Sequence, residues 1–445
     1  MTTPALATPP VSGRQRLAAR PSVLERVSVV AMMFFLAFST PDQWLRTAAE
    51  VQAQDQLEGG LSIFAVALIL GFAGLFAFHL AGNWRPVWWL ARQDRLFLSF
   101  FGLILLSTLW SAEPTATVRE TIVLLIVIFY ALYLVTRFEL REILRMTGIA
   151  LAVGIALDFF FIFGLPEFGD SNAGWKGTQP NKNSLGRLHV LSVIVFLVGA
   201  RTFRRFRFIN YVLAALAMVI VIGSTSATSL VALILASAIT VVAQIFRARK
   251  TLFGAVILSA VVSTLAVIGF ATANLGPITD LLGKDVTFTG RTPLWEFTIA
   301  ESLRNPLTGY GWNAYWNGFF SPAHEVWTEF VWTPPHAHNA FIDYALQLGW
   351  PAVGLFFAII IRAGYRAVVY VRDTRTAVGL FPLAMITFSF LYSLSEAGVI
   401  FRNIFFLLVA VAIYSIASLR HDKGVKDTET PLEGTIGLVG SPEAM

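Results

Sequence analysis

Two histidines, His336 and His338, stand where a long polar segment gives way to an apolar run, in PPHAHNAFIDYALQLGW (334–350). A histidine at such a boundary can titrate near neutral pH and accept a proton from a hydroxyl, which makes His338 a candidate general base. The same position suits a helix cap or an interfacial side chain. A zinc site is a third use of the pair, with His324, Glu325 or Asp343 as further ligands; nothing in the spacing demands one, and we assign no metal. Cationic candidates are Arg291 in GRTPLW and Arg187 near the outer end of an apolar block, with Lys182 and Lys176 in WKGTQPNKNSLG (175–186). Guanidinium groups grip phosphate oxygens at two points and stay ionised, whereas lysines add point charges. The bland alternatives are that Arg187 snorkels to headgroups and that Arg291 pairs with Glu296 or Asp285 at the surface. The same polar segment holds Trp295, Trp312, Trp316, Trp327 and Trp332. Their flat faces and indole N–H groups suit a membrane interface or a sugar ring. Tyr310, Trp312, His336 and Asn339 complete the candidate substrate contacts. Asp158, inside an apolar block, is a functional-site candidate because ionisable groups are expensive there. Glu396 and Arg402 read as a structural pair across a short outer loop.

The elements that must position these residues are membrane helices. Of 445 residues, 56% are hydrophobic and only 13% charged, with a mean hydropathy of +0.68; soluble domains carry about 25% charged residues. At roughly 20 apolar residues per span, the sequence predicts about twelve. They lie near 24–41, 61–80, 95–111, 117–136, 143–165, 184–200, 208–223, 225–246, 251–272, 338–361, 377–394 and 399–419. With a cytoplasmic N-terminus, 24 of the 33 Lys and Arg residues fall on inner segments, and the bias alternates at every loop. The net charge of +6 is therefore topological, not a nucleic-acid footprint. Both ends are expected in the cytoplasm, as a tail over 1–23 and another over 420–445. Nine spans fill 24–272, a large extracytoplasmic loop occupies 273–337, and three further spans fill 338–419. The first apolar block reads as a retained helix, not a cleaved signal. Cysteine is absent, so the loop is held by packing alone. Within it, a helix is expected over 290–306, with Thr292 as N-cap and Pro293 in first position. Leu294, Phe297 and Leu303 form its buried stripe, and Asn305-Pro306 stops it. Gly309 and Gly311 let backbone pass close to a neighbour or ligand.

The motifs GRTPLW (290–295), NPLTGYGW (305–312) and HAHNAFIDYALQLGWPAVG (336–354), in this order after WKGTQPNKNSLG, resemble the O-antigen ligase and Wzy-type polymerase group of bacterial membrane glycosyltransferases. Within it the chain most resembles exopolysaccharide polymerases of the ExoQ type. The resemblance implies an all-α polytopic, GT-C-like fold in the bacterial inner membrane. It also implies a polyprenyl-diphosphate-linked oligosaccharide as donor, chemistry at the periplasmic face and no metal or other cofactor. The family's histidine falls on His338, followed by Asn339 and Gly349, and its loop arginine on Arg291. Two departures stand out: GSTSATS (223–229) lacks the basic residue usual in ligases, which favours the polymerase branch over transfer to a lipid A core, and Ala352 replaces a usual glycine. Membrane lipid, a flippase and a chain-length co-polymerase are the expected partners. A twelve-span transporter is the main rival from another class. It would place its ionisable residues at mid-membrane, whereas here the centres of the spans are nearly free of charge apart from Asp158 and the polar inventory concentrates on the outer face. A structural partner of another polysaccharide enzyme is the third reading.

Overall fold

The computed structural model describes residues 21–38, 41–47, 50, 63–81, 84–171, 173–246, 291–317, 321–330, 333–397, 400 and 403–428. The span expected over 251–272, the start of the long loop, most of both expected tails, Trp332 and Arg402 lie outside them. Regular structure among the described residues is helical, apart from one isolated bridge between Asp170 and Trp175. The longer helices are α1 (Val23–Phe38), α2 (Ile63–His79), α3 (Arg95–Leu106), α4 (Pro114–Arg137), α5 (Leu140–Phe159), α6 (Lys182–Thr202) and α7 (Arg207–Gly223). They continue as α8 (Ala227–Phe246), α9 (Arg291–Ser302), α10 (Ala340–Leu348), α11 (Trp350–Thr374), α12 (Leu380–Ser393) and α13 (Ile404–Thr428). Among the described residues, five stretches are long and apolar enough to cross a membrane: Pro114–Arg137, Leu140–Gly164, Lys182–Thr202, Arg204–Gly223 and Trp350–Thr374. Parts of α2, α3, α8, α12 and α13 are shorter apolar helices.

The pairing of helices follows from which faces are apolar all round. The most apolar stretch of α6 is 78% buried and the corresponding stretch of α7 only 22%. The first is therefore a central helix and the second a peripheral one, with most of its surface left for lipid. The α6 helix packs along α7, α8 along α12, α1 along α5, and α4 along α13. Starts are capped from the sequence: Glu139 and Glu142 form a reciprocal capping box on α5. The Asn181 side chain accepts from Ser184 N at 2.9 Å on α6. At one end of the bundle Arg137 forks onto Glu25 at 2.6 and 2.9 Å, tying α4 to α1. Arg362 and Arg366 reach Asp94 at 3.3 and 2.7 Å, tying α11 to the start of α3.

The opposite end carries the described part of the loop, which forms its own small core. Leu294, Tyr315, Ala323, Val326, Ala337, Ile342 and Leu346 are buried together, with Trp295, Phe297, Trp316 and Trp327 packed around them. The expected loop helix is present over Arg291–Ser302, with Thr292 and Pro293 inside it. Leu294 and Phe297 face the core as expected, whereas Leu303 is 60% exposed because the helix has already ended at Ser302. The span expected over 338–361 is two helices. Gly349, at φ 81°, ends α10, and Pro351 lies in the first turn of α11. Here the segment after α9 is laced to the corner: Tyr310 N donates to Leu346 O at 2.8 Å, Gly311 N to Gln347 O at 2.9 Å, and Trp350 N to Pro306 O at 2.8 Å. A side chain at Gly309 or Gly349 would meet the opposing backbone, so the close neighbour these glycines admit is the chain itself.

Candidate active site

Glu396, in the short turn after α12, is the centre of the most charged cluster at the loop end of the bundle. Its Oε1 accepts from Arg291 Nη2 at 2.7 Å and from Asn183 Nδ2 at 2.9 Å. Its Oε2 faces His338 Nδ1 at 3.1 Å and His336 Nε2 at 3.9 Å. Arg291, at the first position of α9, also donates Nη1 to Ser395 O at 2.8 Å. One guanidinium thus holds both the carboxylate and the backbone beside it, a two-point grip that lysine cannot reproduce. Asn339 fastens the histidine from the other side. Its Oδ1 caps α10 by accepting from Phe341 N and Ile342 N at 2.9 and 3.3 Å, while Nδ2 donates to Leu394 O at 3.1 Å.

His338 adopts φ +51°, a left-handed conformation that costs a non-glycine residue about 1–2 kcal/mol. Its backbone N–H donates to His336 Nδ1 at 3.1 Å, so neutral His336 carries its proton on Nε2. Burial and the neighbouring His338, partly opposed by Glu396, hold His336 neutral, its pKa lowered to about 3. A quarter of that side chain still meets solvent. For Glu396, burial opposes ionisation, but the hydrogen bond from His338 and the positive charge of Arg291 win, and its pKa falls to about 2. An ionised Glu396 accepts the His338 Nδ1–H and thereby places the imidazole lone pair on Nε2, the arrangement a general base needs. His338 keeps 15% of its side chain exposed.

Arg187 approaches from α6, with its guanidinium carbon 5.5 Å from the centre of the Tyr392 ring, one turn before Glu396. It lies close enough for its charge to act on His336. It also lies on the wall of a cavity of about 260 Å³ between α1, α2, α6 and the start of α13. Leu36, Phe72, Leu188, Leu191 and Phe405 line its apolar part, with Gln179, Ser184 and Asn403 among its polar walls.

Several sequence candidates sit elsewhere. Lys182 donates to Ala173 O at 3.0 Å, and the buried Lys176 to Arg46 O at 3.0 Å; burial pushes the Lys176 pKa down. Both lysines fasten loops in the structure. Tyr310 bonds Glu301, and Trp312 is buried and stacked on Tyr344. Trp295, Trp316 and Trp327 donate their indole N–H to Ala337 O, Asp343 Oδ1 and Pro334 O at 2.8, 2.8 and 3.0 Å. These rings brace the loop. Asp158 accepts from Thr178 N and Oγ1, both at 2.8 Å, and meets His189 Nε2 at 2.8 Å.

Glu396, which the sequence reads as a structural partner of Arg402, instead meets Arg291 among the described residues. The available signal was an acid on the same expected outer face as His338. Ligand atoms of His336, His338 and Glu396 all lie within 4.8 Å of one another, a set that could hold a metal. The third group is thus Glu396 and not His324, Glu325 or Asp343. Arg291 already supplies a fixed positive charge to that carboxylate.

A family model described as O-antigen ligase matches residues 211–357, a stretch that contains Arg291, His336 and His338 but neither Arg187 nor Glu396. The chain is also 27% identical over 344 residues to the exopolysaccharide production protein ExoQ of Rhizobium meliloti (strain 1021), covering 71% of this chain and 76% of that protein. The chain is thus similar to the O-antigen ligase family over residues 211–357 and to ExoQ over 344 residues.

Proposed function

We propose that this protein is a glycosyltransferase that polymerises polyprenyl-diphosphate-linked oligosaccharide repeats into exopolysaccharide at the periplasmic face of the inner membrane. The two similarities support the coarser statement, a ligase- or polymerase-type function. The observation that carries the finer one is the Glu396 cluster, which joins a histidine of fixed tautomer to a clamped arginine at the loop end of the bundle. A twelve-span plan with cytoplasmic ends remains part of this reading.

In the reaction, an acceptor sugar hydroxyl attacks C1 of the donor glycan as the bond from C1 to the diphosphate oxygen breaks. The hydroxyl proton passes to His338 Nε2, and Glu396 stabilises the imidazolium that forms. The electron pair of the broken bond leaves on the diphosphate. Arg291 uses two of its five N–H donors on Glu396 and Ser395 and has others to offer phosphate oxygens. Arg187 adds a second cation at the wall of the apolar cavity, which suits a prenyl tail. A single displacement at C1 inverts the anomeric configuration; a product retaining the donor configuration by NMR would remove this version.

The deciding experiment supplies purified protein in vesicles with a polyprenyl-diphosphate-linked repeat and no other acceptor. A ladder of longer lipid-linked glycans, absent with His338→Ala, is expected. The description of the matched family favours one second reading, ligation. Transfer only after a lipid A core or protein acceptor is added would establish it. No transfer to any acceptor would return the transporter or the partner role.

A further inference from the structure

At the end of the bundle remote from Glu396, the first turn of α5 faces the joint between α6 and α7. Residues 187 and 202 of α6 are separated by about 20 Å along the helix axis, at 1.5 Å per residue, so this joint belongs to the other membrane surface. A recess of about 250 Å³ opens there, lined by Arg141, Arg145, Arg204 and Arg205, together with Glu142, Phe203 and Phe206. Four arginine residues therefore surround one small space against one carboxylate-bearing residue. That carboxylate is already engaged: Glu142 Oε1 pairs with Arg26 at 3.3 Å, and Oε2 accepts from Glu139 N at 3.2 Å in the capping box. None of the four arginines has a carboxylate partner among the described residues. Two are placed by aromatic rings instead: Arg141 lies 5.3 Å from the Phe203 ring centre and Arg205 5.9 Å from that of Phe206. Rings fix where these cations sit but do not neutralise them, and like charges held together favour an incoming anion.

An excess of arginine on one side of the membrane follows from topology alone. Topology does not require a recess, ring-placed guanidinium groups or an apolar surface directly beside them. Here Phe206 is 42% exposed, and on the following helix Phe208 and Ile209 are 78% and 55% exposed. The charged recess thus continues into the most lipid-facing long helix of the bundle. A free phosphate would use the arginines and leave that surface unexplained. We propose that the recess binds the phosphate headgroup of an anionic phospholipid whose acyl chains lie along the exposed side of α7. The site is separate from the Glu396 cluster and does not depend on its function.

Native mass spectrometry of the full chain, released from micelles containing equal phosphatidylglycerol and phosphatidylcholine, tests this directly. The wild type is expected to retain phosphatidylglycerol over phosphatidylcholine by about tenfold, a modest factor for several arginines at a membrane surface. In the quadruple variant Arg141→Gln, Arg145→Gln, Arg204→Gln, Arg205→Gln the preference should fall to parity. The Arg204→Gln, Arg205→Gln pair, expected to lose part of it, serves if the quadruple variant does not fold. Arg92→Gln, at a basic position stacked on Trp88 outside the recess, should leave the preference intact. Equal retention of both lipids by the wild type would overturn the proposal. So would a preference that survives the quadruple or double substitution, or one that Arg92→Gln removes as fully. Displacement of the lipid by millimolar inorganic phosphate would reassign the recess to a soluble anion and overturn it too.

Discussion

Among the described residues, two buried carboxylates meet a histidine at hydrogen-bond distance, and the two pairs differ in what surrounds them. Asp158 and His189 meet at 2.8 Å with both side chains fully enclosed, and Asp158 also receives the backbone and hydroxyl of Thr178. Glu396 and His338 meet at 3.1 Å, with part of the histidine open, a second histidine beside it and Arg291 on the other carboxylate oxygen. The first pair pins the 175–181 loop onto α5 and α6. The second has the same two functional groups plus access, a fixed cation and a strained backbone. The pairing itself is therefore not the mark of a working site. Exposure and a second charge distinguish the two.

Substitutions can break that comparison, and the largest effects belong to the open pair. His338→Ala and Glu396→Gln are each expected to lower polymer formation by about 10³-fold while the protein remains in the membrane, as loss of a general base or its orienting acid does. Initial rates in the vesicle assay check this. Arg291→Lys keeps the charge but loses the two-point grip on Glu396 and Ser395, and should cost about 10- to 100-fold. Asp158→Asn should leave the rate per folded molecule nearly unchanged yet lower stability by about 1–3 kcal/mol, read as a fall in melting temperature. A large rate loss with unchanged melting would make the enclosed pair functional and erase the distinction.

Acid sharpens the comparison further. His336, held near 3 against an ordinary 6.5, is neutral in the folded protein while the unfolded chain takes up a proton. Its contribution to stability therefore falls as pH drops from about 6.5 toward 3. Glu396, held near 2 against 4.5, stabilises fully above 4.5 and loses that contribution as pH falls toward 2. The melting temperature should decline in both windows, and His336→Gln should flatten the upper one alone. Lys182→Ala, which removes one contact to a backbone carbonyl, is expected to change the rate by less than about twofold.

The site was legible in the sequence as far as local signals reach. His338 and Arg291 stood in recognisable motifs on a loop too polar for its surroundings, and Gly309 marked a close approach. Glu396 was not legible as a partner, because it lies 58 residues beyond His338 and only the packing of α10 against the turn after α12 brings them together. Asp158 read as a candidate because burial alone was visible; its partners Thr178 and His189 lie 20 and 31 residues away. The break at Gly349 escaped the span count because hydrophobicity runs on through it. The tryptophans were expected to offer faces to membrane or sugar, but a sequence does not reveal which indole N–H groups the loop uses for itself.

The wide sequence separation of the cluster has a consequence for biosynthesis. Asn183 and Glu396 are 213 residues apart, and Arg291 and Glu396 are 105 apart, so the carboxylate that joins them leaves the ribosome after the other members of the cluster. A nascent or truncated chain lacking the turn after α12 would carry His336, His338 and Arg291 without the carboxylate they meet. Assembly of the cluster is thereby tied to insertion of the chain through the turn after α12.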